Sequence, residues 1–159
     1  MSAMQRTPLK KRRTGKPRRV LQVCAIRGCK RRADQAMCKT HAKLRADQAW
    51  SRYIRARDGR CMAAEAFPEI RCAGSLQAMH LISRRYAATR YALWNGRAGC
   101  AAHHRWLTDR PLEHDDWCGT WLGRDLWDAR KLEAVYGEPI SPIDFLATLE
   151  ASAPTERTE

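Results

Sequence analysis

No stretch of this 159-residue chain approaches the ~18 to 20 consecutive apolar residues that crossing a bilayer requires. The N-terminus also lacks the apolar segment of a secretory signal. A soluble, cytoplasmic protein with no membrane partner is therefore expected. Acidic residues are missing from the start of the chain: twelve Lys and Arg precede the first of them, Asp34. Residues 1–20 hold eight basic residues, two prolines and almost no large apolar side chain, too little to offset the entropy of ordering. They read as a disordered basic arm. Hydrophobic residues are not scarce in the whole chain, and at 44% they exclude wholesale disorder and can fill a modest core.

The net charge of +13 is unevenly distributed. Residues 1–110 carry 26 basic and 6 acidic residues, net +20, whereas residues 111–159 carry 4 and 11, net −7. A polycationic first part points to a polyanionic partner, nucleic acid first, with strongly salt-dependent binding. The plainer reading of such a charge is a solvated surface. The acidic C-terminal part could pack beside the basic part or meet a protein partner, and the sequence does not fix the oligomeric state.

Seven cysteines in a reducing compartment, an odd number, suit metal ligands better than a disulfide framework. Between Val23 and His41 the chain is short of aliphatic residues and reads Cys24-x4-Cys29-x8-Cys38-x2-His41. Three thiolates and one imidazole as two close pairs suit tetrahedral zinc, and so small a segment needs such a staple. A second quartet is Cys61, Cys72, Cys100 and His103, the last two spaced Cys-x2-His at the start of a short helix. Unliganded thiols are the alternative for both, and they predict no bound metal. Cys118, beside Trp117 in an apolar stretch, reads as an ordinary buried thiol.

Six segments follow. Residues 1–20 are the arm, 21–45 a zinc knuckle, and 46–59 a linking helix whose apolar residues recur at Ala46, Ala49, Trp50, Tyr53 and Ile54, with Arg52 and Arg55 off that stripe. Residues 60–110 are turn-rich, with a strand near Gln77–Ile82 and a helix from Ala101 stopped by Arg110-Pro111. Residues 111–150 are a helical extension: Asp125–Tyr136 is helix-like, and Ser141-Pro142 with Asp144 supplies the start of a last helix. Trp106, Trp117, Trp121 and Trp127 read as core, and 151–159 as a disordered tail. The fold class is a small, zinc-stapled α+β protein.

Once the zinc ligands are assigned, His80, His104 and His114 remain. The order Cys61, Cys72, His80, Asn95, Cys100, His103, His104, with Asn95 five residues before Cys100 and nine before His104, resembles the HNH (ββα-metal) endonucleases. The run His80-Leu-Ile-Ser-Arg84, then Tyr86, Thr89-Arg90 and Asn95, is similar to phage-type HNH proteins related to NinG-type recombination nucleases. The resemblance covers about fifty residues, Cys61 to Thr108.

The resemblance implies a ββα-metal core that hydrolyses DNA phosphodiester bonds in phage DNA processing or recombination, with branched DNA among the substrates. His80 would be the general base. Asn95 would hold the loop that orients it, and His104 would bind one catalytic divalent ion (Mg2+, Mn2+, Ni2+ or Zn2+) in addition to two structural Zn2+. Arg84, Arg85 and Arg90, with Arg52 and Arg55 of the helix, would contact nucleic acid, because a guanidinium can grip two phosphate oxygens. The family often has Asp or His before the base, whereas Met79 stands here. The ion would then be held by His104 with Asn95, Asp109 or His114 and water. The alternatives are a non-catalytic zinc-stabilised module that binds DNA or structured RNA, and a ribosome-associated zinc protein.

Overall fold

The computed structural model describes residues 21–33 and 36–151. The expected arm at 1–20 and all but the first residue of the expected tail lie outside them. The chain forms two units, the first ending at Cys38 and the second beginning at Lys39.

In the first unit two short antiparallel strands, β1 (Gln22–Val23) and β2 (Arg32–Ala33), pair Gln22 with Ala33 and Val23 with Arg32. The turn between them carries Gly28 at φ +80°, a conformation that favours glycine. Cys24 N–H donates to Arg31 O at 3.0 Å and Cys29 N–H to Ile26 O at 3.0 Å, so the backbone folds around the thiols. Cys24, Ala33 and Cys38 form the small buried cluster, with Ile26 and Met37 against it.

The second unit is built on helix α1, Lys39–Asp58. This helix starts seven residues before the expected Ala46, because Ala42 carries the apolar stripe back by one turn. Its buried residues are Ala42, Ala46, Trp50 and Ile54, four apart in succession, and Tyr53 faces outward at 38% exposure. Gly59, at φ +65°, ends it and donates to Arg55 O. The segment expected to link two regions is instead the core helix of the unit: Trp50 and Ile54 pack with Tyr91 and Phe145.

Against α1 lies an antiparallel pair, β3 (Leu76–His80) and β4 (Gly96–Cys100), in a register running from Leu76 opposite Cys100 to His80 opposite Gly96. A Cβ on Gly96 would come within 2.5 Å of the Trp50 ring and 2.8 Å of Ile54, so only glycine lets β4 approach the helix. Helix α2 (Ala101–Thr108) follows β4 without a break, and its first N–H groups, on Ala101 and Ala102, donate to Ser75 O and Ala73 O. Three more helices complete the described residues: α3 (Pro111–Leu122), α4 (Arg124–Tyr136) and α5 (Pro142–Ala151). Pro111 and Pro142 each open a helix, where the missing N–H costs nothing. Leu81, Ile82, Cys118, Trp127 and Ala134 form a second cluster. Of the tryptophans expected in the core, Trp127 is 2% exposed, whereas Trp121 is 40% exposed with the Arg97 guanidinium 3.4 Å from its ring centre. No described helix is long and apolar enough to cross a membrane.

Candidate metal and phosphodiester site

Both expected Cys3His groups come together. In Cys24, Cys29, Cys38 and His41, and separately in Cys61, Cys72, Cys100 and His103, one ligand atom per residue lies within 4.8 Å of every other. Each group could hold one zinc ion. In the first, Cys38 N–H donates to Cys24 Sγ at 3.3 Å, and this backbone donor, the largest influence on it, lowers the Cys24 pKa.

The second group is laid out in detail by the hairpin and α2. His103 is fully buried, with Nδ1 3.1 Å from Cys100 Sγ and 3.6 Å from Cys72 Sγ. Its Nε2 lies 3.1 Å from Phe67 O, and a carbonyl can only accept, so Nε2 carries the proton and Nδ1 turns its lone pair to the sulfurs. Burial pushes the Cys72 thiol up to about 11, and the other two thiols add to that. Burial also opposes ionisation of Cys100, but the His103 N–H and imidazole outweigh it and bring that thiol down to about 6. Three thiolates so close cannot ionise together without a cation among them, and this donor set fits zinc.

His80, Asn95 and His104 stand beside this staple. His80 ends β3, half-buried, its ring stacked on Trp50 with centroids 3.8 Å apart and planes 14° from parallel. Its Nε2 lies 3.0 Å from Arg90 O, so that nitrogen bears the proton and Nδ1 keeps the lone pair. Burial is the main reason its pKa falls to about 4, with the charges of Arg90 and Arg84 acting the same way. The ring is therefore neutral at pH 7.

Asn95 is fully buried. Its Oδ1 accepts from Ile82 N–H at 2.6 Å, and its Nδ2 donates to Ile82 O at 3.0 Å and Thr89 O at 2.9 Å. It ties down both ends of the 82–89 loop, and, fully buried, it is not among the residues lining the cavity that His104 borders, which sets it apart from the expectation that it could share a metal ion with His104. His104, half-buried on α2, has Nδ1 2.7 Å from Gln77 Oε1; with the amide in this orientation Nδ1 donates and Nε2 holds the lone pair. Burial lowers its pKa.

His80, His104 and His114 line one cavity of about 270 Å3, together with Met79, Ser83 and Thr108. Met79, 3% exposed, packs against Gly99, where a Cβ would come within 2.5 Å of its sulfur, and beside Leu107. Asp109 borders a different cavity, with Gln77, His104 and Arg105. His114 had no assigned role in the sequence beyond being one alternative ligand, because nothing in the spacing of α3 relates it to β3.

The five arginines divide. Arg84, exposed, lines a cavity of about 490 Å3 with Arg52, Arg55, Asp47, Trp50 and His80. Arg55 also donates to Ser51 Oγ at 2.6 Å. Arg85 is exposed and donates to Tyr86 OH at 2.8 Å. Arg84, Arg85 and Arg90 border a second cavity of about 600 Å3, with Lys39 and Lys43 of α1. Arg90, however, is not a free phosphate clamp. Its Nε and Nη2 hold both oxygens of Asp47 at 3.0 and 2.7 Å, and its Nη1 donates to Arg84 O at 2.6 Å. With its side chain 12% exposed and its donors committed, it fastens the 84–90 segment to α1. Cys118 is buried as expected, its thiol pushed up to about 12 chiefly by burial.

Comparison with protein-family models, with curated proteins and with solved structures finds no match to this chain.

Proposed function

We propose that the second unit is a metal-dependent HNH-type endonuclease whose β3, β4 and α2 form a ββα-metal core and whose substrate is DNA. The observation that carries this reading is the pairing of His80 and His104 on one cavity, each with one ring nitrogen committed to a carbonyl oxygen and the other without a partner among the described residues. Hydrolysis of a phosphodiester needs a base for the attacking water and relief of charge on the phosphate and the leaving oxygen. Neutral His80, with its lone pair on Nδ1, suits the first task. The Arg90 carbonyl and the Trp50 face hold its ring, and Asn95 braces the loop that follows it. His104 Nε2 suits a divalent ion, which when bound would neutralise charge on the phosphate and the departing oxygen. Arg52, Arg55 and Arg84, on the groove that His80 also lines, suit the flanking phosphates.

The Cys61, Cys72, Cys100 and His103 group would hold this geometry rather than react, since it would give a zinc ion four protein ligands. A second reading, a zinc-stabilised module that binds nucleic acid without cutting it, draws on Met79, a core thioether in the position before the base. Incubation of zinc-loaded protein with plasmid, branched DNA and structured RNA under Mg2+, Mn2+, Ni2+ or added Zn2+ separates the two. The nuclease reading expects divalent-ion-dependent cleavage of DNA that His80→Ala abolishes. Binding without cleavage under every ion supports the module.

A further inference from the structure

The cavity shared by the three histidines has a composition that selects a ligand. Its lining includes no carboxylate: the polar side chains are the imidazoles of His80, His104 and His114 and the hydroxyls of Ser83 and Thr108, and Met79 is among the apolar ones. The nitrogens are not equivalent. Nε2 of His80 is taken by Arg90 O and Nδ1 of His104 by Gln77 Oε1. His114, one helix further on in α3, has Nε2 3.7 Å from the Cys118 sulfur, which leaves Nδ1 without a hydrogen-bond partner among the described residues. Among those residues only the two Cys3His groups gather three or more ligand atoms within 4.8 Å, so the three imidazoles are not a closed trio. A cation here takes two of them and keeps positions open, as an ion that acts on a substrate must.

We propose that His104 and His114 together bind one borderline divalent cation of the Ni2+, Co2+ or Zn2+ class in this cavity, with His80 outside the coordination set. The donor atoms decide the class. Imidazole nitrogen suits these ions, whereas Mg2+ prefers carboxylate and water oxygens. His114 thereby supplies from α3 a ligand that β3, with Met79, does not. Coordination through His114 Nδ1 leaves the proton on Nε2, next to the Cys118 sulfur. The inference deepens the nuclease reading and rests on it only for the use of the ion.

The test is made on the full chain with both zinc groups loaded. Calorimetric titration with Ni2+ should find one further site, and Mg2+ should bind it at least about tenfold more weakly. His114→Gln and His104→Gln should each weaken Ni2+ by roughly 10- to 100-fold, while His80→Gln leaves it unchanged. Because a variant can fail through misfolding, imidazole nitrogen NMR of the unmutated protein provides a second readout. On adding one equivalent of Zn2+ beyond the structural pair, the unprotonated nitrogens of His104 and His114 should shift, and that of His80 should not. Wild-type Ni2+ affinity in folded His114→Gln, a matching loss in His80→Gln, or an unshifted His114 overturns the proposal. Ion binding through His114 without DNA cleavage removes the nuclease reading and leaves the site. Cleavage with His114 silent in both measurements removes the site and leaves the reading.

Discussion

The Trp50 indole and the His80 imidazole lie face to face, 3.8 Å between ring centres and 14° from parallel, while Trp50 Nε1 donates to Ala92 O at 3.2 Å. The helix that buries the core of the second unit thus also supplies the wall behind the candidate base. Burial dominates the His80 pKa, which falls to about 4. The folded ring resists a proton that the unfolded ring takes near 6.5. Stability due to this group is therefore complete above pH 6.5 and lost as pH falls toward 4, by about 3 kcal/mol at most. NMR titration of the His80 ring should give a midpoint close to 4, and one near 6.5 would remove burial from the account.

Asn95 offers a second check, on stability alone. Its three hydrogen bonds are fully buried, and Asn95→Ala leaves the Ile82 N–H and the Ile82 carbonyl unpaired, while Thr89 O keeps its bond from Ala92 N–H. A loss of roughly 3 kcal/mol or more is expected in denaturant unfolding of the zinc-loaded protein. Asn95→Asp should be no better, since it puts a charge in a site that needs two donors.

The arginines should separate by experiment as they do by contact. Arg90 and Asp47 are joined at both carboxylate oxygens with side chains 12% and 31% exposed, so Asp47→Asn should cost roughly 1 kcal/mol of stability. Arg84→Ala should leave the melting temperature unchanged. If Arg84 grips a phosphate, its loss should lower the slope of log affinity against log salt by about 0.9. A melting loss in Arg84→Ala with an unchanged slope would reverse the division.

Metal content gives a fourth. Zinc-loaded protein should carry two Zn2+ per chain, and Cys100→Ser should lose one of them together with the order of the hairpin and α2. Thiolates must stay deprotonated to hold zinc, so release should occur as pH falls. Retention of two ions by Cys100→Ser would exclude the second group as a zinc site.

Much of this was legible in the sequence, and the exceptions have physical reasons. The two Cys3His groups could be read largely because three of their four pairs are close in sequence, as in Cys38-x2-His41 and Cys100-x2-His103, whereas Cys61 and Cys72 are eleven residues apart. Helices α4 and α5 could be read from Gly137 and Ser141-Pro142, and Ser141 Oγ does accept from Ile143 N–H at 3.3 Å. The first seven residues of α1 could not, because alanine at position 42 is too small to register as an apolar stripe, although it is 1% exposed. The commitment of Arg90 to Asp47 is invisible in the sequence for a different reason: the two are 43 residues apart, and no local pattern relates them. The stack of Trp50 on His80, thirty residues apart, is long-range in the same sense.

His80 carries the proposed chemistry most directly. The deciding measurement is cleavage of supercoiled plasmid by zinc-loaded protein with an added divalent ion, compared with His80→Ala at equal zinc content and equal melting temperature. Ion-dependent nicking by the wild type and at least about a hundredfold less by the variant is the predicted result. Equal cleavage by both would contradict the assignment of His80 as the base and, with it, the reading of this cavity as a nuclease site.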